Sequence, residues 1–73
     1  MSHTVTAELV ANVLKVEVEV GDLVTADDPV VILESMKMEI PVLAEVDGMV
    51  AEIIAGAGDV VTDGDPLVVI DER

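Results

Sequence analysis

Apolar and charged residues alternate along residues 14–20, which is the period of a half-buried β-strand. The chain contains sixteen valines, five isoleucines and four threonines, whose stiff χ1 torsions favour a pleated sheet over a helix. Turn signals such as Gly21-Asp22 and Gly58-Asp59 recur at short intervals, and no segment keeps helical spacing over about ten residues. The pattern predicts an all-β chain with short strands at 4–9, 12–20, 23–25, 29–35, 38–43, 48–55, 60–62 and 66–71.

An internal repeat orders these strands. After a shift of 37 positions, residues 4–34 superimpose on residues 41–71 without a gap, and roughly a third of the pairs are identical. Two copies are too few for a solenoid, which needs at least three. We therefore expect one domain over residues 1–73. Its two halves should lie around a pseudo-two-fold axis, and each should supply strands to one barrel or sandwich.

The segment 35–40 joins the two halves and has no counterpart in the repeat. A predicted strand enters it and another leaves it, so we expect a hairpin that protrudes from one end of the molecule. The pseudo-two-fold axis places both chain termini at the opposite end. Lys37 is predicted to lie at the tip of the hairpin.

The predicted turn has unusual residues. Two-residue hairpin turns favour Asn-Gly or Asp-Gly because both central residues need positive φ, whereas this turn has Met36 and Lys37. Holding each of them in that conformation costs on the order of 1 kcal/mol, and such strain concentrates at functional sites. Lys37 is also the only basic residue between positions 16 and 72, with Glu34 and Glu39 nearby. These features predict that Lys37 is a unique nucleophilic amine. A partner protein would supply both the base and the activated acyl group.

The charge of the chain excludes several functions. Sixteen acidic and three basic residues give a formal net charge of −13 at pH 7. Lys15, Lys37 and Arg73 cannot form the basic face that nucleic acid or anionic lipid requires. No apolar run approaches the roughly 20 residues of a bilayer span, and the first residues lack a signal-peptide pattern, which predicts a soluble, cytoplasmic protein. Without cysteine, a disulfide framework and a cysteine-based zinc site are excluded.

The remaining polar groups do not predict catalysis or metal binding. Ser35, His3 and the carboxylates show no triad-like arrangement. Residues 63–65 have the Asp-Gly-Asp start of a calcium loop but lack its twelve-residue ligand pattern and terminal Glu. Thioether ligation of Cu(I) by Met36 and Met38 with His3 is disfavoured, because His3 is expected at the far end from the hairpin. We expect a protein that is not an enzyme and has no metal site.

The residues Glu34-Ser35-Met36-Lys37-Met38-Glu39-Ile40-Pro41 resemble the attachment signature of biotinyl domains, which centres on a lysine between two methionines. The glycine spacing downstream of this segment is similar to the same family, and the resemblance extends from about Val5 to Ile70. It implies a flattened β-barrel of two four-stranded antiparallel sheets related by a quasi-two-fold axis.

The resemblance also implies a function. Lys37 would carry biotin in amide linkage, attached by a biotin protein ligase, and would shuttle a carboxyl group between biotin carboxylase and carboxyltransferase subunits. Met36 and Met38 would flank the cofactor. The residues expected to be recognised by the ligase are Glu34, Ser35 and Glu39.

Two features depart from the resemblance. Ser35 stands where many biotinyl domains have alanine, and the gapless repeat leaves no room between Val13 and Gly21 for the thumb insertion of some bacterial carriers. Two alternatives stay open: a lipoyl carrier, which the methionine flanks disfavour, and an unmodified β-barrel interaction module. The acceptor of the carboxyl group is not encoded in the sequence.

Overall fold

The computed structural model describes residues 1–73, which form eight β-strands and no helix. Each strand of the first half has a counterpart 37 residues later, and all eight predicted strands are present in the predicted order. The chain contains no helix that could cross a membrane. The strands are β1 (Ser2–Thr6), β2 (Ala11–Val16), β3 (Leu23–Val24), β4 (Pro29–Ser35), β5 (Met38–Leu43), β6 (Gly48–Ile53), β7 (Val60–Val61) and β8 (Pro66–Glu72).

The strands form two four-stranded antiparallel sheets, with the orders β1-β8-β6-β3 and β5-β4-β2-β7. Replacing each strand by its repeat partner converts one order into the other. The two sheets are therefore related by the predicted quasi-two-fold axis, and the predicted barrel-sandwich class is confirmed.

The core between the sheets contains fifteen buried apolar residues and no buried polar or charged side chain. Since the chain has no aromatic residue, valine, leucine, isoleucine and alanine side chains from both sheets fill this space. At Gly48 the backbones of β6 and β8 approach so closely that a Cβ would collide with the carbonyl oxygen of Asp71. The result is a tightly paired scaffold for the hairpin.

β-Bulges interrupt the ladders at equivalent places in the two halves. Leu14 is the additional residue of β2 opposite β4, and Ala51, its repeat partner, is the additional residue of β6 opposite β8. A bulge bends its strand and shifts the alternation of side chains. After the bulge, pairing with β4 resumes at Lys15 and Val16. The predicted strand over 12–20 is wrong beyond Val16, where β2 ends. Val18 still packs against the core, which explains why the apolar and charged residues keep alternating.

Two other strands differ from their predicted bounds by two or more residues, and β3, β7 and β8 differ by one residue each. β1 begins at Ser2 and ends at Thr6 instead of spanning 4–9, because the N–H of Ala7 turns toward the carbonyl of Asp65 at 2.9 Å. β6 ends at Ile53 instead of residue 55, because the next two N–H groups both donate to the carbonyl of Leu67.

Aspartate side chains close the turns in pairs that follow the repeat. Asp22 Oδ2 accepts the Glu19 N–H at 2.9 Å, and Asp59 Oδ2 accepts the Gly56 N–H at 2.8 Å. Asp65, in the segment that begins like a calcium loop, accepts the N–H of Thr62 at 2.8 Å in the same way. Part of the acidic composition therefore serves the turns.

The β4–β5 hairpin and the chain termini lie at opposite ends of a molecule that measures 35 × 17 × 16 Å. β5 carries the chain away from the hairpin turn to the loop 44–47, a path of about 20 Å at roughly 3.3 Å per residue. The termini meet this loop: the Arg73 N–H donates to the Asp47 carbonyl at 3.0 Å, and the Glu72 N–H donates to Met1. The predicted separation of hairpin and termini is confirmed.

Candidate functional site

The hairpin turn consists of Met36 and Lys37, with φ angles of 54° and 65°. Pairing between β4 and β5 continues up to Ser35 and Met38, so only two residues close the turn. Both lie in the left-handed region, which costs a non-glycine residue about 1–2 kcal/mol. The expected conformation is confirmed, and one further non-glycine residue in the chain, Glu45, shares it.

The side chains of the turn project into solvent. Met36 is 91% exposed and Met38 is 62% exposed, which places two thioethers in water on either side of the lysine. Lys37 is exposed and takes part in none of the ion pairs of the molecule. Lys15, by contrast, pairs with Glu17 at 3.2 Å. The structure thus presents one free primary amine at the tip.

The three other predicted site residues divide between two faces of the hairpin. Glu34 and Glu39 are direct cross-strand partners, so they lie side by side on one face. Ser35 pairs with Met38, one position along each strand, and alternation turns both toward the opposite face. The structure brings the two carboxylates together and separates Ser35 from them.

A third exposed apolar residue near the tip, Val10, was not predicted. Asn12 pairs with Glu34, so the loop that precedes β2 lies beside the end of β4. Val10 in this loop is 65% exposed. The repeat contained a signal for it, because Val10 aligns with the polar residue Asp47.

The tip contains an amine and two carboxylates but no histidine. His3, the one histidine, lies at the opposite end, where Nε2 is 3.0 Å from Glu45 Oε1. The arrangement therefore suits an acceptor that another protein acylates.

The family model described as "Biotin-requiring enzyme" matches residues 2–70. A biotinylated protein TB7.3 homolog from Mycobacterium leprae is 57% identical over 49 residues, which cover 67% of this chain and 69% of that protein. The match to the Mycobacterium tuberculosis protein TB7.3 covers 62% of its length.

Two solved structures share the fold. The urea carboxylase of Kluyveromyces lactis superimposes with a TM-score of 0.91 and 37% identity over 97% of this chain, which corresponds to 6% of that enzyme. The lipoyl domain of the 2-oxoglutarate dehydrogenase complex from Azotobacter vinelandii gives a TM-score of 0.78 and 31% identity, covering 94% of this chain and 95% of that domain. The family match, the relatives and the fold together show that the chain belongs to the biotin/lipoyl attachment family and is a carrier domain of the biotin-requiring type.

Proposed function

We propose that this protein is a biotin carrier in which Lys37 Nζ is joined to biotin by an amide bond. The observation that carries the proposal is the exposed, unpaired amine on a two-residue turn with positive φ, between two exposed methionines. The family match to biotin-requiring proteins supports the choice of cofactor. Exposure of the amine fits an amide linkage, since attachment removes a charge without leaving a buried partner unpaired.

The attachment step requires a biotin protein ligase with biotinyl-adenylate as the activated acyl group. The ligase takes a proton from the Lys37 ammonium, and Nζ then attacks the acyl carbon. The new N–C bond forms as the bond between that carbon and the phosphate oxygen breaks, AMP leaves, and the nitrogen releases its second proton to solvent to give the neutral amide. The chain contributes the nucleophile and a fixed turn that holds it clear of the barrel.

The turn residues have separate roles in this proposal. Met36 and Met38 give the ligase two flexible apolar contacts next to the amine. Glu34 and Glu39 offer a paired negative surface on one face of the hairpin. Ser35, on the other face, provides a small side chain that allows close approach.

The carrier role follows from tethering. Bound biotin supplies a ureido nitrogen that takes up and releases a carboxyl group. The rigid barrel presents the arm from one end, so biotin carboxylase and carboxyltransferase subunits reach it in turn at high effective concentration. The net charge of −13 favours partners with basic docking surfaces. A cytoplasmic location completes the proposal, since both ligation and carboxylation consume ATP.

A lipoyl carrier is the second candidate, favoured by the shared fold of the Azotobacter vinelandii lipoyl domain. The third is an unmodified interaction module whose tip docks on a partner. These three functions predict different covalent masses for the same chain.

Intact mass after co-expression with a biotin protein ligase, and separately with a lipoate ligase, tests the proposal. We expect a biotinyl increment on the wild type, its complete loss in Lys37→Arg, and full retention in the matched control Lys15→Arg. Both variants should keep the wild-type unfolding midpoint, because neither lysine lies in the core. A lipoyl increment alone, no increment at all, or biotin on Lys37→Arg would refute the assignment.

A further inference from the structure

A groove opens along the side of the hairpin, between β5 and the loop that follows β1. Its volume is about 220 Å³ and half of its lining residues are apolar. Glu8 and Leu9 line one side of the groove, and Ile40, Val42 and Glu45 line the other side. We call this cavity the side groove.

The side groove lies within reach of a modified Lys37. Ile40 is three residues beyond Lys37, about 10 Å along the strand at roughly 3.3 Å per residue. The Lys37 Cα and the ring system of an attached biotin would be joined by about eleven bonds. Three backbone bonds span roughly 3.3–3.6 Å, so an extended arm covers about 12–13 Å. An arm that folds back along β5 therefore brings its ring to the level of Ile40 and Pro41, where the groove begins.

The chemistry of the groove suits the ring end of biotin. The ring system is neutral, with an apolar thioether side and two ureido N–H donors. Leu9, Ile40 and Val42 supply the apolar wall. Glu8 supplies a carboxylate acceptor that has no hydrogen-bond or ion-pair partner in the structure, whereas its repeat partner Glu45 is bound to His3. The volume is below the 300–1,000 Å³ typical of a drug-sized ligand, as expected for a site that holds only the ring.

We propose that the side groove holds the ring end of the Lys37 arm between visits to its partners, with Glu8 accepting a ureido N–H. The proposal rests on the proposed function, since it requires biotin on Lys37. It gives a chain without a thumb insertion another way to shield the ring from water.

Methyl-labelled NMR spectra of the unmodified and the biotinylated chain test this inference, after intact mass has established that Lys37 carries biotin. We expect biotinylation to shift the methyl signals of Leu9, Ile40 and Val42 and to give cross-relaxation between these methyls and ring protons. Val46, the repeat partner of Leu9, and Val5, the repeat partner of Val42, serve as internal controls that should not shift.

Three variants sharpen the test. In biotinylated Leu9→Ser, the cross-relaxation between the ring protons and the methyls of Ile40 and Val42 should be lost. Val46→Ser is the matched control, because Leu9 and Val46 are both half-buried against the core, and the cross-relaxation should persist in it. Glu8→Gln should weaken it. A biotinylated wild type whose spectrum differs from the unmodified chain only at Met36–Met38 would overturn the groove while leaving the carrier function intact. Absence of any biotin on Lys37 would instead overturn the proposed function.

Discussion

The two ends of the molecule are built from equivalent segments of the repeat but are held together differently. At the terminal end, Asp47 accepts two hydrogen bonds, from the Arg73 N–H at 3.0 Å and from the Ala26 N–H at 2.9 Å. At the hairpin end, the position equivalent to Asp47 is Val10. The corresponding bond from Met36 to the Val10 carbonyl is absent.

The difference arises from side-chain chemistry. The Asp47 side chain accepts a hydrogen bond that joins its loop to a neighbouring turn, whereas the side chain of Val10 has no acceptor and lies exposed beside the hairpin. Segments with few buried contacts and solvent-exposed backbone open at the lowest free-energy cost. The comparison indicates that the Asp47 side chain and carbonyl stabilise the terminal end, whereas Val10 makes no equivalent hydrogen bonds at the hairpin end.

The largest expected effect comes from the close approach of β6 and β8 at the terminal end. Gly48→Ala should lower the free energy of unfolding by about 1–3 kcal/mol, because the new Cβ collides with the carbonyl oxygen of Asp71 and with Ile70. The equivalent position at the hairpin end is Ala11, where a Cβ already fits. Ala11→Gly involves no collision and should cost about 0.5–1 kcal/mol through backbone entropy, and about 0.8 kcal/mol more for the buried methyl group that it removes.

Urea denaturation of both variants measures this asymmetry between the ends. A Gly48→Ala variant as stable as the wild type would show that β6 and β8 tolerate a Cβ at this position and would contradict the comparison.

The repeat made most of the fold predictable, because both halves carry the same turn residues and the same apolar positions. It also isolated Lys37, since a segment without a repeat partner needs its own explanation. The end of β2 was not predictable from alternation: Val18 packs on the core from an extended segment outside the ladder, and the bulge at Leu14 shifts the phase. The side groove depends on contacts between segments that are distant in sequence, so periodicity contains no signal for how they meet. The exposed position of Val10, by contrast, was marked in the repeat by its alignment with Asp47.

A smaller effect should come from relieving strain in the turn. Met36→Asn should raise the free energy of unfolding by about 1 kcal/mol, because asparagine tolerates the left-handed conformation that Met36 adopts at φ 54°. If the strained turn serves the ligase, the same variant should be biotinylated more slowly than the wild type.

Met38→Asn is the matched control for this prediction, because position 38 lies in β5 and is not among the positive-φ residues. It should slow ligation without adding stability. Denaturation curves and initial rates of biotin incorporation give both readouts. A Met36→Asn variant that is no more stable than the wild type would mean that the turn stores no strain.

The smallest effect concerns the carboxylates that face each other at the hairpin end. Glu34 lies directly opposite Glu39, whereas the equivalent pair at the terminal end is Asp71 opposite Ser2. Like charges on directly opposed positions are destabilising, and such cross-strand pairs contribute roughly 0.2–1 kcal/mol. Glu39→Ser, which copies the terminal end, should therefore raise the free energy of unfolding by about that amount at low ionic strength.

The reciprocal change, Ser2→Glu, should transfer the repulsion to the terminal end. There the N-terminal ammonium lies 3.8 Å from Asp71 and offsets part of the added charge, so the loss should be smaller than the gain in Glu39→Ser. Because these charges are exposed, about 1 M salt, with a Debye length of roughly 3 Å, should abolish both effects. Denaturation at low and high salt measures them, with initial rates of biotin incorporation recorded in parallel. If Glu39→Ser gains stability and is biotinylated as fast as the wild type, the paired carboxylates have no part in ligase recognition. If it gains stability and loses rate, the hairpin retains a repulsive pair because a cationic surface on the ligase binds it.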